Sequence, residues 1–116
     1  MSDREGWVRM DDSGFIGLVG PIYHRPFDGS EVSKFRFFPE DKHRNSADVV
    51  HGGMLMTFAD RALGFTARRG DMTRKQATVQ LDTHFVKSVK IGDIVDFEGR
   101  VISETRTFVF VDGTMT

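Results

Sequence analysis

The sequence predicts an α+β fold in which runs of antiparallel strands surround a single long helix. Three observations carry this. Only one stretch, from about Gly53 to Arg69, has the length and apolar spacing of a helix. Apolar and polar residues alternate on both sides of it. Turn residues, not further helices, separate the alternating runs. Strands grouped in this way argue against a parallel βαβ sheet.

In chain order, residues 1–13 are polar and read as a mobile lead-in, with Trp7 and Met10 as anchors. The apolar stretch from Phe15 to Tyr23, with Gly17 and Gly20 inside it, reads as a first strand. Pro26, Asp28 and Gly29 supply a turn. Glu31 to Phe38 alternates and is closed by Pro39, a second strand. Residues 40–50 form a polar loop. In the helix that follows, Met54, Leu55, Met56, Phe58, Ala59, Ala62, Leu63, Phe65 and Ala67 cover most of the circumference, which requires a helix wrapped by other structure. A narrow polar stripe remains at Thr57, Asp60, Arg61, Gly64 and Arg68. Gly70 ends the helix.

Beyond Lys75 everything reads as strand. Val79, Leu81 and Phe85 alternate with Gln80, Asp82 and His84. A turn at Lys90–Gly92–Asp93 leads to Val95, Phe97 and Val101, alternating with Asp96, Glu98 and Arg100. Thr105 and Arg106 lead into Thr107–Val111, and Asp112-Gly113 marks another hairpin turn. A helix apolar nearly all round, with one sheet to cover it, calls for a sheet curled about it: the hot-dog shape.

The bulk properties narrow the function. At 116 residues the chain is one domain, able to bury roughly two-thirds of its unfolded surface. A net charge of -1 gives no long-range attraction to nucleic acid or anionic membrane. Without cysteine there is neither a disulfide framework nor a thiolate nucleophile. His24, His43, His51 and His84 lack zinc-site spacing, so no metal is expected. The charged N-terminus has no signal-peptide stretch, and no apolar run reaches membrane-spanning length. A cytoplasmic protein is expected.

Chemistry concentrates in NSADVVHGGMLMTFAD, Asn45 to Asp60. Gly52 and Gly53 leave the backbone N–H groups of a helix start bare, a place for a carbonyl oxygen gaining negative charge. The same glycines also suit a plain tight turn into the helix. Asp60, two turns in, is either paired with Arg61, Arg68 or another chain, or kept for catalysis. His51 can cap the helix or act as a base. Asn45 in a loop suits a hydrogen-bonded turn, and Thr78 is an ordinary strand residue by type.

The string Asn45-x5-His51-Gly52-Gly53-x6-Asp60 resembles the signature of PaaI-like thioesterases of the hot-dog superfamily. Thr78 to Val101 (TVQLDTHFVKSVKIGDIVDFEGRV) is also similar to the family's later pattern of strand, Phe, short basic turn, Gly-Asp and strand. The likeness covers about residues 31 to 116. It implies an acyl-CoA thioesterase that needs no cofactor beyond the coenzyme A of its substrate. In that family the amide matching Gly52 meets the thioester carbonyl, and the Asn matching Asn45 orients substrate or water. The carboxylate matching Asp60 is general base or nucleophile, and the residue matching Thr78 positions water. Asn and Gly come from one subunit and Asp from the other, so a homodimer is implied, with a homotetramer as its further assembly. Gly53, Arg69, Lys87 and Lys90 could meet the substrate, although exposed basic residues are commonly just a solvated face.

Three features depart from the family pattern. Alternation puts Thr78 on the polar face with Gln80 and Asp82, not with Val79 and Leu81, so its implied role needs a bulge or a site at the sheet rim. Asp48 stands where a Gly is frequent, and Asp tolerates left-handed backbone better than most residues. The chain also stops at Thr116, where the family usually continues through one more strand, which implies a fragment or an exposed sheet edge. The rival readings are a hot-dog hydratase or dehydratase of acyl thioesters and a non-enzymatic acyl-CoA-binding domain.

Overall fold

The computed structural model describes residues 4–10 and 12–116. Among them the elements are β1 (Val8–Arg9), α1 (Phe15–Val19), β2 (Ile22–His24), β3 (Val32–Phe37), a 3-10 turn (Asp41–His43), α2 (Gly52–Arg68), β4 (Val95–Glu104) and β5 (Val109–Met115). The strands make one antiparallel sheet in the order β1-β2-β3-β4-β5. Each strand pairs with its neighbour in sequence, but the chain leaves the sheet after β3 to build α2 before β4 returns beside β3. The β3–β4 register, Val32↔Arg100 through Phe37↔Val95, is locked by a two-pronged Arg36–Asp96 pair at 2.6 and 2.9 Å.

Alternation decides which side of the sheet holds the core. Phe35 and Phe37 on β3 and Val95 and Phe97 on β4 turn to the same face and are buried. Helix α2 lies on that face through Met54, Leu55, Phe58, Ala59, Ala62 and Ala67. The ring of Phe58 stands 5.5 Å from that of Phe37 and 5.9 Å from that of Phe97, so one helical side chain fills the centre of the sheet. Burying each such ring contributes roughly 2–3 kcal/mol. The α+β arrangement and the long central helix are as the sequence predicts, with the helix one residue earlier at each end.

Four expectations are corrected. Residues 15–19 form a short helix, not a strand, and only Ile22–His24 of the apolar stretch joins the sheet. Five apolar residues fit either state. Here the chain takes the helix, and a Cβ on Gly17 would stand 2.5 Å from the Asp12 carbonyl oxygen, an approach that only glycine permits. Part of the expected lead-in is also built into the fold: β1 pairs with β2, Met10 is buried, and Trp7 lies under the guanidinium groups of Arg25 and Arg36. Residues 1–3 and 11 of that lead-in lie outside the described residues.

Asp112-Gly113 is not a turn but lies inside β5, with Gly113 opposite Gly99 on β4. A Cβ on Gly113 would sit 2.3 Å from the Phe97 ring, and one on Gly99 would sit 2.7 Å from Thr66 Oγ1. These glycines make room for Phe97 and for α2. Finally, Thr78–Phe85 pairs with no strand among the described residues. Alternation marks a segment suited to a strand, but a ladder also needs a facing edge in register. Val79 and Phe85 are therefore left exposed, at 80% and 55%.

Candidate functional site

The loop leading into α2 is organised by its own side chains. Asn45 Oδ1 accepts the N–H of Ala47 at 2.8 Å and that of Val49 at 3.3 Å, while the Asn45 N–H reaches the Val49 carbonyl at 2.8 Å. This is the Asx-type turn its residue type allows. Asp48 takes the left-handed backbone expected of it, with φ 62°. A bond from the Val50 N–H to the Val89 carbonyl (2.8 Å) and a Val49–Lys90 bridge tie the loop to the segment before β4.

His51 caps the helix: its Nδ1 accepts the Gly53 N–H at 2.9 Å, satisfying one of the orphan donors of the first turn. The capping role expected of His51 is thus present. The cap leaves the Gly52 N–H, one residue earlier, with no acceptor among the described residues. A Cβ on Gly52 would meet only the ring of Phe85, an exposed side chain, at 3.6 Å.

Asp60 lies two turns further on, exposed, on the polar stripe of α2. The cations that could have neutralised it are engaged elsewhere. Arg61 is held by Asp12 in a two-pronged pair at 2.9 and 3.0 Å, and Arg68 donates to the carbonyls of Gly64 and Arg74. Asp60 makes no ion pair among the described residues; its partner is a hydroxyl, with Thr78 Oγ1 donating to Oδ1 at 2.5 Å. Oδ2 is left open. Gln76, whose Nε2 donates to the Gly64 carbonyl at 2.7 Å, lays the 76–78 segment along the same face. Strand alternation would turn Thr78 away from Asp60; free of a ladder, the segment brings the two together.

The structure thus unites Asp60 with Thr78, and Asn45, His51, Gly52 and Gly53 with one another. It does not unite the two groups. Eight residues of helix at 1.5 Å rise separate Gly52 from Asp60 by about 12 Å along the axis, too far for both to touch one carbonyl group. Arg69 at the helix C-cap, Lys87 and Lys90 are all exposed, and their side chains make no hydrogen bond or ion pair among the described residues. Sequence reasoning missed Gln76 and the Asp12–Arg61 pair. Gln76 is detectable only as a polar residue two before Thr78, and no local pattern links Asp12 to a partner 49 positions away.

Known proteins resemble this chain in sequence and in fold. The family described as the Thioesterase superfamily matches residues 47–116. A Caenorhabditis elegans protein whose name proposes an esterase is 32% identical over 90 residues, covering 71% of this chain and 51% of its own length. A similarly named protein of Saccharolobus solfataricus is 31% identical over 97 residues, covering 84% of this chain and 63% of its own length. The chain thus spans about half to two-thirds of these relatives. Among solved structures, zebra fish thioesterase superfamily member 2 superposes with a TM-score of 0.79 at 20% identity, over 91% of this chain and 76% of that one. A Streptococcus mutans protein solved bound to acetyl CoA superposes with a TM-score of 0.76 at 24% identity, over 91% of this chain and 83% of its own. Both likenesses are to the fold, which is the hot-dog fold.

Proposed function

This chain belongs to the Thioesterase superfamily, and we propose that it hydrolyses acyl-CoA thioesters, in the manner of the PaaI-like branch, at a site shared by two copies of the chain. The observation that carries this reading is the Asp60 carboxylate: exposed on the polar stripe of α2, in no ion pair among the described residues, and bonded by the Thr78 hydroxyl. Asp12, by contrast, is held in an ion pair with Arg61.

In the proposed reaction the thioester carbonyl oxygen lies at the Gly52 N–H of one copy. Asp60 of the other copy presents its open Oδ2 to water, with Thr78 fixing the carboxylate. The carboxylate takes a proton as the water oxygen bonds to the carbonyl carbon, or it attacks that carbon directly to give a mixed anhydride, which water then cleaves to the acid and the free carboxylate while the thiolate takes its proton from that water. The π electrons move onto oxygen, and the developing oxyanion is held by the aimed amide, worth roughly 3–4 kcal/mol per donor. Collapse breaks the C–S bond, and coenzyme A leaves as its thiol after taking up the proton. Asn45 holds the loop that sets the Gly52 amide, and Gly53 keeps that surface shallow. Exposed Arg69, Lys87 and Lys90 are available to the phosphates of coenzyme A.

Two copies are required because about 12 Å of helix separates the amide and the carboxylate within one chain. A homodimer with two equivalent sites meets that requirement, and two dimers can pair into a tetramer. The acetyl CoA held by the Streptococcus mutans protein, and the coenzyme A held by a Streptococcus pneumoniae protein of the same fold described as a hypothetical thioesterase, support the substrate class. Thiol release from a panel of acyl-CoAs tests the reading. Steady release that depends on Asp60 is expected. Hydration of enoyl-CoA without thiol release, or binding without turnover, would favour the rival readings instead.

A further inference from the structure

His43 is buried, at 4% exposure, and the reaction above does not use it. Both ring nitrogens are occupied. Nδ1 accepts the Glu40 N–H at 2.9 Å, and Nε2 bonds the carbonyl oxygen of Val19. A carbonyl only accepts and an amide N–H only donates, so the hydrogen is on Nε2 and the lone pair on Nδ1. The partners fix a neutral ring in one tautomer. The edge of the ring meets Phe37, with centroids 4.7 Å apart. The backbone carbonyl of the same residue accepts the N–H of His51 at 2.7 Å. His51 in turn caps α2 and immediately precedes the Gly52 amide. One residue therefore joins the end of α1, the 3-10 turn and the start of α2.

We propose that His43 is a positioning residue that sets the direction of the Gly52 amide through its bond to His51. The proposal rests on the reading of that amide as the oxyanion donor. An apolar residue of the same volume would fill the site against Phe37 but would hold neither Glu40 nor Val19. The turn would then be free to shift, and with it the carbonyl that fixes His51. The effect belongs in turnover more than in substrate binding, because an oxyanion donor is used most in the transition state.

The test uses the full chain with two variants. His43→Phe keeps the ring and deletes both bonds; His43→Asn keeps an acceptor near Nδ1. His43→Phe is expected to lower kcat by roughly 10- to 100-fold with KM changed about twofold or less, since a misplacement near 1 Å has effects of that size. His51 amide exchange should accelerate in the same variant, and His43→Asn should recover much of both. Equal losses in the two variants, or unchanged kcat and unchanged His51 exchange in His43→Phe, would overturn the proposal. If His43→Phe does not fold, the wild-type chain decides: the His51 amide must exchange as slowly as the β3–β4 ladder, and fast exchange refutes the positioning role. A chain that hydrolyses no thioester while showing these exchange effects would sink the functional reading and leave the positioning of the helix start intact.

Discussion

Replacing Asp60 by Asn removes the charge of the proposed reacting group and little else. Asp60 is exposed and its side chain's one hydrogen bond among the described residues comes from the Thr78 hydroxyl, which an amide oxygen at the same place can still accept. The cost in stability should therefore fall in the ordinary surface range of about 0.5 kcal/mol, a Tm change of roughly 2 °C. The cost in turnover should be far larger. An amide neither takes the proton from water nor attacks as an anion, and a positioned general base is worth roughly 10²- to 10⁴-fold. That corresponds to about 3–5 kcal/mol in the barrier. Initial rates of thiol release from saturating acyl-CoA give kcat, and thermal unfolding of the same preparations gives Tm. Turnover within a few-fold of wild type would refute a reacting role for Asp60. A large fall in both kcat and Tm would show that the carboxylate serves the fold.

Thr78→Ala deletes one hydrogen bond to the carboxylate while leaving the charge, so kcat should fall about 5- to 10-fold, the equivalent of roughly 1 kcal/mol. A loss exceeding that of Asp60→Asn in the same assay would reverse the two roles. Gly52→Val places branched carbons beside the open amide and against Phe85, 3.6 Å from the first carbon, and should cut kcat by roughly 100-fold or more for loss of an oxyanion donor. Gly53→Ala must displace the His51 ring, 3.0 Å from the new carbon. The cap it strains and the helix propensity it gains are each about 1 kcal/mol, so Tm should hardly move and kcat should fall less than in Gly52→Val. Hydrolysis unaffected by either change would mean that the glycines serve only the turn. Gly113→Val drives a carbon to 2.3 Å from the Phe97 ring, and overpacking of about 1–3 kcal/mol should lower Tm by roughly 4–12 °C. An unchanged Tm would contradict the Gly99–Gly113 pairing.

What could be read from the sequence follows from how local each signal is. Helix α2 was legible because its apolar spacing persists over several turns and is bounded by glycines at both ends. Strands β3 and β4 were legible because their alternation is uninterrupted where they face Phe58. The left-handed backbone at Asp48 followed from residue type. The errors arise where a distant neighbour decides. The apolar run at 15–19 is equally good as helix or strand by residue type, and its close approach to the Asp12 carbonyl at Gly17 has no local signal. Asp112-Gly113 has the chemistry of a turn until Phe97 needs the space that Gly113 leaves. The segment 78–85 alternates like a strand, yet no edge faces it among the described residues. For the site, sequence located Asp60 but could not tell a paired carboxylate from an unpaired one. That depended on Asp12, far along the chain, taking Arg61 for itself.

The central claim, that one site takes its amide from one chain and its carboxylate from another, is tested most directly by mixing two inactive variants. Gly52→Val and Asp60→Asn chains, unfolded together and refolded at equal concentration, form mixed dimers in which one site carries both lesions and the other carries neither. Random pairing makes half of the dimers mixed, so thiol release should return to about one quarter of the wild-type rate per chain. Activity that stays at the sum of the two parents, with mixed dimers demonstrably present, would contradict the shared site.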